Sequence, residues 1–97
     1  MTWLYVVALA EQSEPIIKVG ITGNLSSRLS ELGTASPFAL EVLASLAFPS
    51  RAEARSNERE IHRELKSFKL RGEWFHLDPV TLASLLDVMK QDAETVH

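Results

Sequence analysis

Two apolar runs near the start of the chain, Trp3 to Ala10 and Ile16 to Ile21, are separated by the polar stretch Glu11-Gln-Ser-Glu-Pro15. Both runs are rich in aromatic and β-branched residues, which suit a pleated and partly buried surface. A short polar connection joins antiparallel neighbours, so the chain opens with a β-hairpin. That hairpin commits the fold to an antiparallel sheet.

The rest of the chain reads as helices and one further strand. Asn24 is placed to cap a helix whose Leu25, Leu29 and Leu32 share a face, and Gly33 to end it in a left-handed conformation. Leu40 to Phe48 has strand composition with no charge after Glu41, the pattern of a largely buried third strand. Ser50 with Glu53 forms a capping box for a longer helix, whose Ala54, Ile61, Leu65 and Phe68 keep one face until Arg71-Gly72 ends it. Trp74, Phe75 and Leu77 make a short packed segment, and Asp78-Pro79 opens a final helix carrying Leu82, Leu85, Leu86 and Met89. The expected order is β-β-α-β-α-α, a small α+β domain with an antiparallel sheet. Residues 1–97 are expected to form one domain, with its core over about 3–90 and a frayed tail after Gln91.

Composition narrows the function. The chain has no cysteine, which excludes disulfides, thiolate zinc sites, iron–sulfur clusters and a cysteine nucleophile, and makes the cytoplasm the default compartment. No apolar run approaches the ~18 residues of a membrane span, and the start lacks a basic leader region, so neither secretion nor membrane insertion is expected. A net charge of −3 argues against a non-specific nucleic-acid coat protein. The distribution is uneven, however: residues 51–71 hold seven of the ten Lys and Arg against four Glu, a local +3, and leave −6 elsewhere.

The long helix carries the most informative pattern. Beside its apolar face, Arg51, Arg55, Arg59, Arg63 and Lys66 form a basic stripe, and Glu58 falls between the two. The stripe admits two accounts, a solvated face paired with Glu60 and Glu64, or contact with phosphates. A carboxylate at the margin of a buried face needs a positive partner, either a basic side chain or a metal ion. His62 lies one turn on along the same seam; alone it reads as a helix-surface histidine, because metal-ligand histidines come in sets. The second histidine of a zinc protease helix is absent, as is a serine nucleophile elbow. In the second strand Lys18 points away from Ile17 and Val19, and Gly20 permits a close approach near the strand end. Arg28 sits at the edge of its helix's apolar face, where its plain reading is an ion pair with Glu31.

Taken together, Tyr5, Lys18-Val-Gly20, Asn24-Leu25 leading to Arg28, Glu58-x-x-Ile61-His62 and Gly72-Glu-Trp-Phe75 resemble the GIY-YIG nuclease superfamily. The similarity is greatest to its small phage and bacterial branch with a Lys-Ile/Val-Gly second motif, and runs from about Trp3 to Leu77. The resemblance implies a three-stranded antiparallel sheet flanked by helices, and DNA phosphodiester hydrolysis with one divalent ion, Mg²⁺ or Mn²⁺. It implies Glu58 as metal ligand, Arg28 as the group stabilising charge on the scissile phosphate, and Tyr5 as activating or positioning water. Gly20 matches the glycine of the second motif, Lys18 and His62 are auxiliaries, and the basic stripe would hold the DNA backbone. Trp3 stands where the first motif usually has glycine, and Lys18 where the second has tyrosine, which leaves the general base open. Glu73 and Trp74 stand where some members place an asparagine.

The leading expectation is a metal-dependent DNA endonuclease acting on branched or duplex DNA, with a homodimer or partner protein supplying affinity. Two rivals remain. One is a nucleic-acid binding module that does not cut. The other is a protein-interaction domain in which Arg28 alone neutralises Glu58 as a structural ion pair.

Overall fold

The computed structural model describes the backbone of residues 1–95 and the side chains of residues 1–91. The initial hairpin forms as expected, with strand β1 (Thr2–Leu9) antiparallel to β2 (Ile16–Thr22) and Tyr5 opposite Gly20. Helix α1 (Leu25–Ala35) follows, capped by Asn24, whose side chain accepts from the Ser27 N–H at 3.1 Å. Strand β3 (Leu40–Phe48) then pairs with the far edge of β1. Helix α2 (Arg51–Glu64) starts at Ser50, which accepts from the Glu53 N–H at 3.2 Å.

The sheet has five strands, not three. Helix α2 stops at Glu64, and a single 3-10 turn over Lys66–Phe68 leads into a hairpin of β4 (Lys69–Arg71) and β5 (Trp74–His76). Arg71-Gly72 is therefore not a helix stop: Gly72 has φ +57°, a left-handed conformation that suits the tight reversal between these strands. β5 pairs with β2, giving the order β3-β1-β2-β5-β4, antiparallel throughout. The element order is β-β-α-β-α-β-β-α, and the α+β class holds.

Two further expectations need correction. Gly33 does not end α1 in a left-handed turn, because the helix continues to Ala35 with Ser36 donating back to the Leu32 carbonyl at 3.1 Å. β3 is an edge strand and only partly buried, with Val42 exposed, since the added hairpin joins the other side of the sheet. The frayed tail expected after Gln91 concerns residues whose side chains, and for 96 and 97 also the backbone, lie outside the described residues.

Strand alternation divides the sheet into two faces. Leu4, Val6, Ala8, Ile17 and Val19 form one core with Leu65, Phe75, Leu77, Leu85 and Met89, so α2 and α3 (Pro79–Thr95) cover that face. Asp78 caps α3, accepting from the Thr81 N–H at 2.8 Å. The alternate residues Tyr5, Val7 and Lys18 are buried on the opposite face, where α1 sends Arg28 to Tyr5.

Candidate functional site

A gap at one sheet edge lets residues from both faces meet. β5 pairs with β2 only over Ile16 to Lys18, with one more bond from the Val19 N–H to the Glu73 carbonyl. Past that point a pocket of about 440 Å³ opens beside the end of β2. Ile21 and Thr22 line it, together with Arg28 from α1, Arg51, Arg55 and Glu58 from α2, and Glu73 from the β4–β5 turn.

Tyr5 and Gly20 do not line it but adjoin it, Tyr5 through Arg28 and Gly20 through Glu73. The Tyr5 ring lies across Gly20 so closely that a β-carbon there would stand 2.5 Å from the Tyr5 hydroxyl oxygen. Gly20 is thus the residue that lets the phenol reach the site. Arg28 Nε donates to that hydroxyl at 3.4 Å, and its Nη1 contacts Glu31 at 3.2 Å. Burial pushes the Tyr5 phenol above its ordinary pKa, while Arg28 pulls against the shift. Tyr5 therefore stays protonated near neutrality, a hydrogen-bonding group and not a phenolate.

Glu58 is the anomaly. It is only 8% exposed, and among the described residues no basic group lies within 4 Å of its carboxylate. Burial raises its pKa most, and Glu73 adds to the rise through a hydrogen bond and like charge; His62 and Arg55 act in the opposite direction. Glu58, His62 and Glu73 each bring one ligand atom within 4.8 Å of the others, a set able to hold a divalent cation. His62 is fixed by its Nε2, which donates to the Val19 carbonyl at 2.9 Å, and by edge-to-face packing on Phe75. A carbonyl only accepts, so the lone pair of the imidazole is on Nδ1. Lys18 Nζ is 3.0 Å from Glu73 Oε1 and 5.5 Å from the Trp74 ring centroid.

A family model described as the T5orf172 domain matches residues 2–91. The chain belongs to this family. No curated protein and no solved structure gives a significant match. The matched span of the T5orf172 domain includes every residue of the pocket.

The residues singled out in the sequence converge in this T5orf172 domain, with one division. Arg28 and Glu58 line one pocket, Tyr5 and Gly20 adjoin it through Arg28 and Glu73, and Lys18 and His62 reach it through Glu73 and Glu58. The basic stripe splits at Glu58: Arg51 and Arg55 line the pocket, whereas Arg59, Arg63 and Lys66 line a second cavity of about 320 Å³ with Lys69 and His62. Among the described residues none of these bases is in an ion pair, so the first of the two accounts of the stripe, pairing with Glu60 and Glu64, is not met. Arg28 pairs with Glu31 and Tyr5, not with Glu58, which removes the contact that the interaction-domain reading requires. The residue missed as a site group is Glu73. Its sequence signal was the Gly72 turn, which places it next to Trp74, the register partner of Lys18.

Proposed function

We propose that this T5orf172 domain is a divalent-metal-dependent endonuclease that hydrolyses DNA phosphodiester bonds at a GIY-YIG-like site. Membership of the family is consistent with a nuclease or DNA-binding role. The observation that carries the reading is the company Glu58 keeps. A buried carboxylate without a base within 4 Å shares one pocket with three guanidiniums, Arg28, Arg51 and Arg55. In an ordinary surface cluster such groups pair with each other. Here Glu58, Arg51 and Arg55 make no ion pair among the described residues, so the carboxylate calls for a cation and the two guanidiniums for an anion, and a metal-bound phosphodiester satisfies both.

Glu58 would hold one Mg²⁺ or Mn²⁺, since hard divalent ions take carboxylate ligands and keep several waters. When bound, such an ion polarises a phosphoryl oxygen and lowers the pKa of water. Arg28 neutralises charge on a non-bridging oxygen of the phosphate, aided by its hydrogen bond to Tyr5. Tyr5, being protonated, orients water or phosphate and does not abstract a proton. Arg51 and Arg55 grip the backbone on one side of Glu58, and Arg59, Arg63 and Lys66 on the other. With a net charge of −3, a dimer or partner protein supplies part of the affinity.

One observation favours a non-cleaving DNA-binding module instead: neither Tyr5 nor Lys18, which is held by Glu73, is set up as a base. Incubation with supercoiled plasmid in Mg²⁺, Mn²⁺ or EDTA separates the two. Nicking or linearisation that EDTA abolishes supports the nuclease. Retarded but uncut DNA supports the binding module.

A further inference from the structure

The Glu73 carboxylate touches three parts of the site at once. Its Oε1 is 3.0 Å from Lys18 Nζ and 3.2 Å from where a β-carbon on Gly20 would stand, and one of its oxygens lies within 4.8 Å of ligand atoms of Glu58 and His62. A Gly at position 20 therefore serves Glu73 as well as Tyr5, leaving room for the carboxylate against β2. Glu58 is the independent observation. It is more than nine-tenths buried, directed into the same cluster, and has no base within 4 Å among the described residues. Two carboxylates this close repel unless a cation or a proton lies between them. Lys18 answers the charge of Glu73 and forms no ion pair with Glu58.

We propose that Glu73 is a ligand of the same divalent cation as Glu58, and that Lys18 competes with that cation for the Glu73 carboxylate. The inference rests on the metal-dependent reading above and adds to it a second carboxylate supplied by a β-turn. A cation that takes up Glu73 releases the Lys18 ammonium, which can then meet an anionic oxygen of the substrate. The structure thus gives Lys18 a role as counter-charge and phosphate contact in place of a base.

The test is Mn²⁺ titration by electron paramagnetic resonance, without DNA, on wild type, Glu58→Gln, Glu73→Gln and Lys18→Met, with circular dichroism to check the fold. Glu58→Gln and Glu73→Gln should each weaken Mn²⁺ binding about tenfold or more, and Lys18→Met should tighten it. Opposite signs for Glu73→Gln and Lys18→Met separate a ligand from a merely structural ion pair, whose two halves would act alike. Wild-type affinity in Glu73→Gln, beside weakened binding in Glu58→Gln, would overturn the role of Glu73 while leaving the metal site standing. No Mn²⁺ binding by wild type would overturn the metal-dependent reading and this inference with it. Should Glu73→Gln lose its fold, Lys18→Met decides alone: tighter binding supports competition, and unchanged or weaker binding overturns it.

Discussion

Glu58 on α2 and Glu73 in the β4–β5 turn face one another as carboxylates, and no base lies within 4 Å of Glu58 among the described residues. Burial, then Glu73, holds the Glu58 pKa above the ordinary carboxylate value. The folded state therefore binds a proton at Glu58 more tightly than the unfolded chain does. The stability this contributes is complete below the unfolded pKa and is lost as pH rises through the folded one. Without divalent ions, Glu58→Gln should unfold at a higher temperature than wild type near neutrality. The gap should widen as pH rises above the ordinary carboxylate value of about 4. Thermal unfolding in EDTA measures it, and a variant less stable than wild type at neutral pH would contradict the arrangement.

Gly20→Ala should destabilise the protein by about 1–3 kcal/mol, the usual cost of overpacking. The new methyl would meet the Tyr5 hydroxyl at 2.5 Å and the ring carbon bearing it at 2.7 Å, and Tyr5 is fully buried in the interior strand β1. Urea unfolding gives the loss directly. A stability equal to wild type would show that the ring is free to move aside.

Ser50→Ala removes the acceptor for the Glu53 N–H and should cost about 1 kcal/mol. The cap begins the helix that carries Glu58 and His62, so the loss acts on stability and leaves the residues of the pocket in place. A change in denaturant midpoint at constant slope is the expected signature.

These local signals explain which parts of the fold were legible. Asn24, Ser50 and Asp78 are caps whose hydrogen bonds reach three residues ahead, and the first hairpin is written in consecutive residues. The second hairpin was not legible, because Leu65 and Phe68 prolong the helical spacing of α2 and strands of three residues are too short to show alternation. Gly72 carried the information but reads equally as a helix stop; only its pairing partner, β2, decides. Missing that hairpin also hid Glu73 and made β3 look interior. In the site, Tyr5, Gly20, Arg28 and Glu58 were found because each belongs to a motif, whereas Glu73 enters through a turn whose position depends on the tertiary fold.

The bases on α2, in no ion pair among the described residues, predict how DNA is held. Arg51→Ala and Arg63→Ala, one on each side of Glu58, should each weaken binding and reduce the slope of log affinity against log salt by about one. Fluorescence anisotropy at several salt concentrations gives the slopes. Loss from one side only would confine the DNA to that side of Glu58.

The central claim is that Glu58 serves chemistry more than binding. Single-turnover cleavage of labelled branched and duplex DNA in Mg²⁺ or Mn²⁺, measured beside affinity for the same DNA, tests it most directly in wild type and Glu58→Gln. The account predicts that Glu58→Gln binds DNA at least as tightly as wild type, having lost a negative charge, while cleavage falls by about a hundredfold or more. Cleavage by Glu58→Gln at the wild-type rate would contradict it.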